Sequence, residues 1–251
     1  MNERDLAGRR VVITGGGSGI GAACARRFAE SGAEVVLVDL DGAAARAVAA
    51  EIGASAVEAD LSDPTFDADS LAGSADVLVN NAGIQHVAPV HEFPLDRFRL
   101  IQALMVEAPF RLARAALPHM YEQEFGRIVN ISSVHGVRAS PYKVAYVTAK
   151  HALEGMSKVI ALEGAPHGVT SNTICPGYVR TPLVEKQIAS QAEAHGIPAE
   201  RVVEEVMLRE MAVKRLVEPG EVAELAAYLC SPLAGSATGS SWMLDGGWSA
   251  R

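Results

Sequence analysis

Three side chains in the stretch ISSVHGVRASPYKVAYVTAKH, residues 131–151, can do acid–base chemistry on an oxygen atom. Ser133 is followed thirteen residues on by Tyr146, and Tyr146 four residues on by Lys150. Positions i and i+4 share one face of a helix, so the phenol and the ammonium project side by side. Ser133 can reach them from the preceding loop. A free phenol has a pKa of about 10, too high for proton exchange near neutral pH. An ammonium a few ångströms away favours the phenolate and lowers that value. A tyrosine tuned in this way can take a proton from an alcohol or give one to a ketone, and the Ser133 hydroxyl can hold the same oxygen. Taken alone, Tyr-x-x-x-Lys fits a surface helix with a solvated lysine equally well, so the reading depends on the elements around it.

Those elements alternate. Apolar runs at 11–14, 35–38, 55–57, 77–79, 128–131, 170–174 and 241–244 read as strands. Helical patterns over 22–30, 43–52, 95–123, from the catalytic stretch to about 163, and 219–229 lie between them. The connection 62–72 has room for a short helix at most. Pro109 and Pro118 fall inside the 95–123 pattern, where proline bends or frays a helix. Residues 181–210 are polar and helical, too long for a simple connection, which predicts a lid over about 181–215. Continuous apolar strands are expected where both sheet faces are covered. The pattern predicts one domain, 1–251, with a doubly wound sheet of seven mainly parallel strands and helices on both faces. No linker, repeat or low-complexity segment interrupts it.

In such sheets ligands bind beyond the carboxyl ends of the strands, and the remaining candidates all stand there. Gly15, Gly19 and Gly21 lie between the first strand and the first helix, where glycines permit a tight turn and close approach of a pyrophosphate. Asp39 ends the second strand, and its carboxylate can accept both ribose hydroxyls of an adenosine while repelling a 2′-phosphate. Leu40, Asp41 and Gly42 follow it without a cation, which predicts NAD rather than NADP. A helix N-cap is the competing role for Asp39. Asp60 and Leu61 follow the third strand, where an adenine can sit. Asn81, Ala82 and Gly83 follow the fourth, small enough to let a cofactor ribose pass, while Asn80 reads as a tie between strands. Pro176 and Gly177 can frame a nicotinamide, and Thr181 its carboxamide or the phosphates. Ser18, Ile20 and Val179 complete the candidate cofactor contacts.

Composition bounds the rest. About half of the 251 residues are apolar, enough for a large core, and the net charge of −8 without a basic cluster argues against nucleic acid. The charged start MNERDLAGRR has no apolar signal core, and no run reaches the roughly 20 residues of a membrane span. Cys24, Cys175 and Cys230 are scattered without metal spacing, which reads as no metal and a reducing, cytoplasmic compartment.

TGGGSGIG, NNAG, Ser133, YVTAK and CPG stand in the order and spacing of the short-chain dehydrogenase/reductase family, which the whole chain resembles. Within it, NNAGIQH, SPYKVAYVTAKH, ICPGYVRTPLVEKQI and the ending DGGW are most similar to members acting on D-3-hydroxybutyrate. The resemblance implies an NAD-linked homotetramer interconverting that hydroxy acid and acetoacetate, with Tyr146 as acid–base and Lys150 holding the nicotinamide ribose. It also implies that Gln85, His135, Lys143 and Gln187 bind the substrate carboxylate, while Ser133 and Tyr146 bind its reacting oxygen. A small acid offers little apolar surface, so its charge must meet a cation and fixed donors; Lys143 is the expected cation. Trp248 is expected to reach a neighbouring subunit's site. One departure stands out: Met105 occupies the place of an Asn that many members carry five residues before a Phe, here Phe110. A thioether is a weak acceptor, which puts the family's water-held proton route past Lys150 in question. Competing readings are a reductase of a 3-oxoacyl thioester or a sugar, and a nicotinamide-binding protein without catalysis.

Overall fold

The apolar runs pair into a single sheet in the computed structural model, which describes residues 6–250. The strands are β1 (Arg10–Thr14), β2 (Glu34–Asp39), β3 (Ser55–Glu58), β4 (Val77–Asn80), β5 (Gly126–Ile131), β6 (Val169–Pro176) and β7 (Ser241–Leu244). They lie in the order β3-β2-β1-β4-β5-β6-β7. Every neighbouring pair is parallel.

Successive strand residues point to opposite faces, and both faces are covered. Val11 and Ile13 pack with Cys24 and Phe28 of α1 (Gly19–Glu30) and with Val222 and Ala226 of α10 (Pro219–Cys230). Val12, between them in sequence, packs with Leu112 and Ala116 of α5 (Ala108–Glu122) on the other face. Fully burying a side chain such as Phe28 stabilises by roughly 1.5–3 kcal/mol. The sheet order reverses between β1 and β4, and the glycine turn and the Asn81–Gly83 segment leave their carboxyl ends side by side. Asn80 Nδ2 donates to Asn130 Oδ1 at 2.9 Å, tying β4 to β5.

Two helical segments differ from their sequence reading. The 95–123 pattern is α4 (Leu95–Gln102), a five-residue π turn at Ala103–Glu107 and α5. Pro109 has no N–H to give the Met105 carbonyl, and the wider turn just upstream absorbs the fault, with the Ala108 N–H reaching back to the Ala103 carbonyl. The chain neither frays there nor stops at Pro118. The lid is three short helices, α7 (Pro182–Glu185), α8 (Gln187–His195) and α9 (Ala199–Val202), closed by a second π turn. It has its own small core of Tyr178, Val184, Val202, Met207 and Leu216. The other helices are α2 (Gly42–Ile52), α3 (Ala68–Ala72) and α6 (Val144–Gly164).

Candidate active site

The first two turns of α6 bring Tyr146 and Lys150 onto one face, above the end of β5. Lys150 Nζ donates to the Ile131 carbonyl at 2.6 Å and lies 5.4 Å from the centre of the Tyr146 ring. Ser133, just past β5, accepts the His135 backbone N–H at 3.1 Å, which fixes the hydroxyl beside the phenol. The expected electrostatics are only partly there. Burial pushes the Tyr146 phenol up to about 12, and the hydrogen bond with Ser133 pulls the other way. Lys150 is driven down to about 8 by burial, opposed by Cys175 and Glu154. Desolvation therefore outweighs the hydrogen bond with Ser133, and the phenol of the protein alone is held protonated, ready to donate.

Next to this trio lies a cavity of about 100 Å³ that Gln85, Ser133, His135, Lys143, Tyr146 and Gln187 all line, so the structure collects every residue singled out for the substrate. Lys143 is 3% exposed and stands at the helix entrance, where Tyr142 takes a left-handed backbone with φ of 69°. The Tyr142 carbonyl accepts from Ala88 N at 3.0 Å, anchoring that turn to the loop after β4. Burial lowers Lys143 to about 8. His135 lies within 3.3 Å of Ser133 Oγ through Nδ1 and 2.9 Å of Ser140 Oγ through Nε2. Burial first, then Lys143 and His151, push it down to about 3, so the imidazole is neutral. Among the described residues, buried Gln85 Oε1 has no hydrogen-bond partner. Gln187 donates to the Leu183 carbonyl within the lid at 3.0 Å.

Two residues of this cavity's surroundings make contacts that the sequence did not reveal. Tyr178, directly after Gly177, was missed: its hydroxyl accepts from Lys143 Nζ at 2.7 Å. An aromatic side chain one residue past the strand-end glycine was the available signal. Trp248, expected at a neighbouring subunit's site, packs against the cavity wall of its own chain. Its ring stacks on Tyr178, with centroids 6.1 Å apart, and meets His135 edge-on at 5.4 Å within the same chain.

A larger groove of about 680 Å³ opens beside the cavity. Ile20, Asn81, Gly83 and Thr181 line both, so the two are continuous. Gly15, Ser18, Gly19, Asp39, Asp60, Leu61 and Ala82 line the groove, while Pro176, Gly177 and Val179 line the cavity. Gly21 lines neither. It lies in the first turn of α1, which begins at Gly19, earlier than its sequence pattern suggested, and a Cβ on Gly21 would sit 2.1 Å from the Gly15 carbonyl oxygen, so its role is close helix–strand packing. Asp39 accepts from Gly17 N at 2.8 Å and Asp41 N at 2.9 Å, which aims its carboxylate at the glycine turn. Asp41, not Asp39, caps α2, accepting from Ala44 N at 3.0 Å. Asn81 spends its amide N–H groups on the Thr14 and Gly15 carbonyls, at 3.0 and 3.1 Å, holding the turn rather than a ligand. Arg97 of α4 also lines the groove, a cation that adjacency to Asp39 did not reveal. The tight glycine cradle, the pinned carboxylate and the length of the groove fit a dinucleotide. Among the described residues no group of three or more His, Cys, Asp or Glu could hold a metal, and no helix is long and apolar enough to cross a membrane.

A doubly wound parallel sheet with a dinucleotide groove at its switch point, joined to a Ser–Tyr–Lys cluster, defines a nicotinamide-dependent oxidoreductase. The chain belongs to the short-chain dehydrogenase/reductase family. Residues 15–249 match the family profile described as enoyl-(acyl carrier protein) reductase. The chain is 44% identical to the D-beta-hydroxybutyrate dehydrogenase of Rhizobium meliloti (strain 1021), over 97% of this chain and 99% of that one. It is 42% identical to the enzyme of the same name from Cupriavidus necator, over 98% and 100%. A solved structure described as a putative NAD(P)-dependent gluconate 5-dehydrogenase from Beutenbergia cavernae, with bound NADP at low occupancy, superposes with a TM-score of 0.88. That protein is 35% identical, with 98% of both chains covered.

Proposed function

We propose that this chain is an NAD-dependent dehydrogenase that interconverts D-3-hydroxybutyrate and acetoacetate. The observation that carries the reading is Lys143. Its ammonium is buried in the wall of the cavity beside Tyr146, and among the described residues no acid pairs with it. An uncompensated buried cation is costly, and the carboxylate of a short hydroxy acid is the counter-charge that would satisfy it. A thioester would leave it unpaired. The two D-beta-hydroxybutyrate dehydrogenases that match end to end support the same substrate.

A nicotinamide cofactor, when bound, supplies the hydride acceptor. The chain's residues do the remaining work. Tyr146 Oη takes the proton of the substrate's 3-hydroxyl during oxidation and returns it to the ketone oxygen during reduction. Ser133 Oγ holds that oxygen, and Lys150 lends its positive charge to the phenolate while holding the ribose. Neutral His135, Gln85 and Gln187 stand around the carboxylate that Lys143 binds. Asp39 receives the adenosine ribose, and with Asp41 beside it disfavours a 2′-phosphate.

Absorbance at the reduced-nicotinamide band tests the reading, with NAD and NADP each offered D-3-hydroxybutyrate, its methyl ester, gluconate and a 3-hydroxyacyl thioester. Turnover is expected with NAD and the free four-carbon acid. Preference for the ester or the thioester would remove the carboxylate site, and preference for gluconate would move the substrate to the sugar acids.

A further inference from the structure

Lys143 does not stand alone in its wall. Its Nζ donates to Tyr178 Oη at 2.7 Å and lies 4.7 Å from the centre of the same ring. Both residues are buried, and both line the cavity. A phenol that accepts from an ammonium must turn its own O–H elsewhere, and among the described residues nothing in the protein accepts that proton. Had an aspartate or glutamate stood there, the pair would have been neutral and closed to an anion. A phenol supports the ammonium, leaves its charge uncancelled and adds a donor of its own.

We propose that Tyr178 is a substrate-binding residue, whose O–H is the second donor to the carboxylate that Lys143 attracts. The assignment rests on the reading of Lys143 as the anion site. Burial pushes the Tyr178 phenol well above its ordinary range, so the group keeps its proton throughout the working pH span. The ring is held from outside the pair: it stacks on Trp248, and the Tyr178 backbone carbonyl accepts from Val217 N at 2.9 Å. The donor is therefore set in place before any ligand arrives, which lowers the ordering cost of binding.

The same anchoring lets Tyr178→Phe keep the ring and lose only the hydroxyl. In the full-length enzyme, that variant should raise KM for D-3-hydroxybutyrate about ten-fold or more, the usual effect of losing a hydrogen bond to a charged group. KM for NAD and kcat should stay within about two-fold of wild type. Butanoate and the neutral butanamide, as competitive inhibitors, separate binding from pocket shape. The Ki for butanoate should rise with KM, and that for butanamide should hold. Equal changes in both inhibition constants would make Tyr178 a shaping residue and overturn the proposal. No change in either would also overturn it, while the Lys143 reading would stand if Lys143→Met still weakens butanoate. If Lys143→Met leaves butanoate unaffected, the underlying anion site is itself wrong.

Discussion

Replacing Lys143 with Met should make the protein more stable and its acid binding worse. Methionine keeps the length and apolar stem of lysine and removes the buried charge. Burial takes the Lys143 amine from 10.5 to about 8, and each unit corresponds to 1.36 kcal/mol, so holding the ammonium costs the fold roughly 3 kcal/mol. Part of that gain is lost because Tyr178 no longer receives a donor. A net stabilisation of about 1–3 kcal/mol remains, a rise of several degrees in Tm for a chain of this size. The pH dependence follows from the depressed value. Below about pH 8 the lysine is charged in both folded and unfolded chains, and the full cost applies. As pH climbs from about 8 towards 10.5 the folded protein releases its proton first, and the advantage of the methionine variant shrinks. Lys150, also lowered to about 8, is present in both proteins and cancels in the comparison. Binding should move oppositely: losing a charge-assisted hydrogen bond costs about 1.5–3 kcal/mol, or ten- to 150-fold in KM for the hydroxy acid, with KM for NAD unchanged. Thermal unfolding between pH 7 and 10 and steady-state kinetics read both effects. A variant that is less stable at pH 7, or that binds the acid as wild type does, would refute the reasoning.

Tyr146→Phe should lower kcat by about 10²–10⁴, the usual contribution of a general acid–base, while cofactor affinity, read from reduced-nicotinamide fluorescence, stays near normal; substantial retained turnover would take the proton-transfer role away from Tyr146. Asp39→Ala should narrow the preference between NAD and NADP, measured as the ratio of the two kcat/KM values. If wild type already uses both cofactors equally, the reading of Asp39 as the residue that excludes a 2′-phosphate is wrong. Met105→Asn should leave turnover close to wild type, because Met105 is buried in an apolar cluster with Ile101, Ala145 and Ala149. A silent wild type whose activity appears only in that variant would show that the missing Asn is essential.

The framework was legible because its signals are local. A strand followed by a glycine turn, an acid closing the next strand and a Tyr-x-x-x-Lys turn each occupy a few consecutive residues. The sheet order then carries them to one edge. What escaped was decided by tertiary approach. Tyr178 follows β6 and Lys143 precedes α6, and only the neighbouring positions of β5 and β6 bring the phenol to the ammonium. Arg97 enters the groove from α4, far along the chain from Asp39. The direction of the Tyr146 shift escaped for an energetic reason: spacing reveals the partner ammonium but not how much water the folded site removes, and here burial dominates.

That balance explains why the two lysines of the site, both lowered to about 8, serve different ends. One helical turn beyond Lys150, the buried Glu154 carboxylate accepts from Thr173 Oγ1 at 2.8 Å, Ser241 Oγ at 2.6 Å and Cys175 Sγ at 3.2 Å. Fixed on α6 by donors from β6 and β7, that carboxylate supports the charge on Lys150 from within the protein. Among the described residues Lys143 has no such acid, only a phenol whose oxygen accepts without cancelling charge. A positive charge balanced by the fold remains in place through a reaction cycle. On the proposed function, a positive charge left unbalanced would draw the substrate's carboxylate into the cavity, and its position beside Tyr146 would set which carbon faces the phenol.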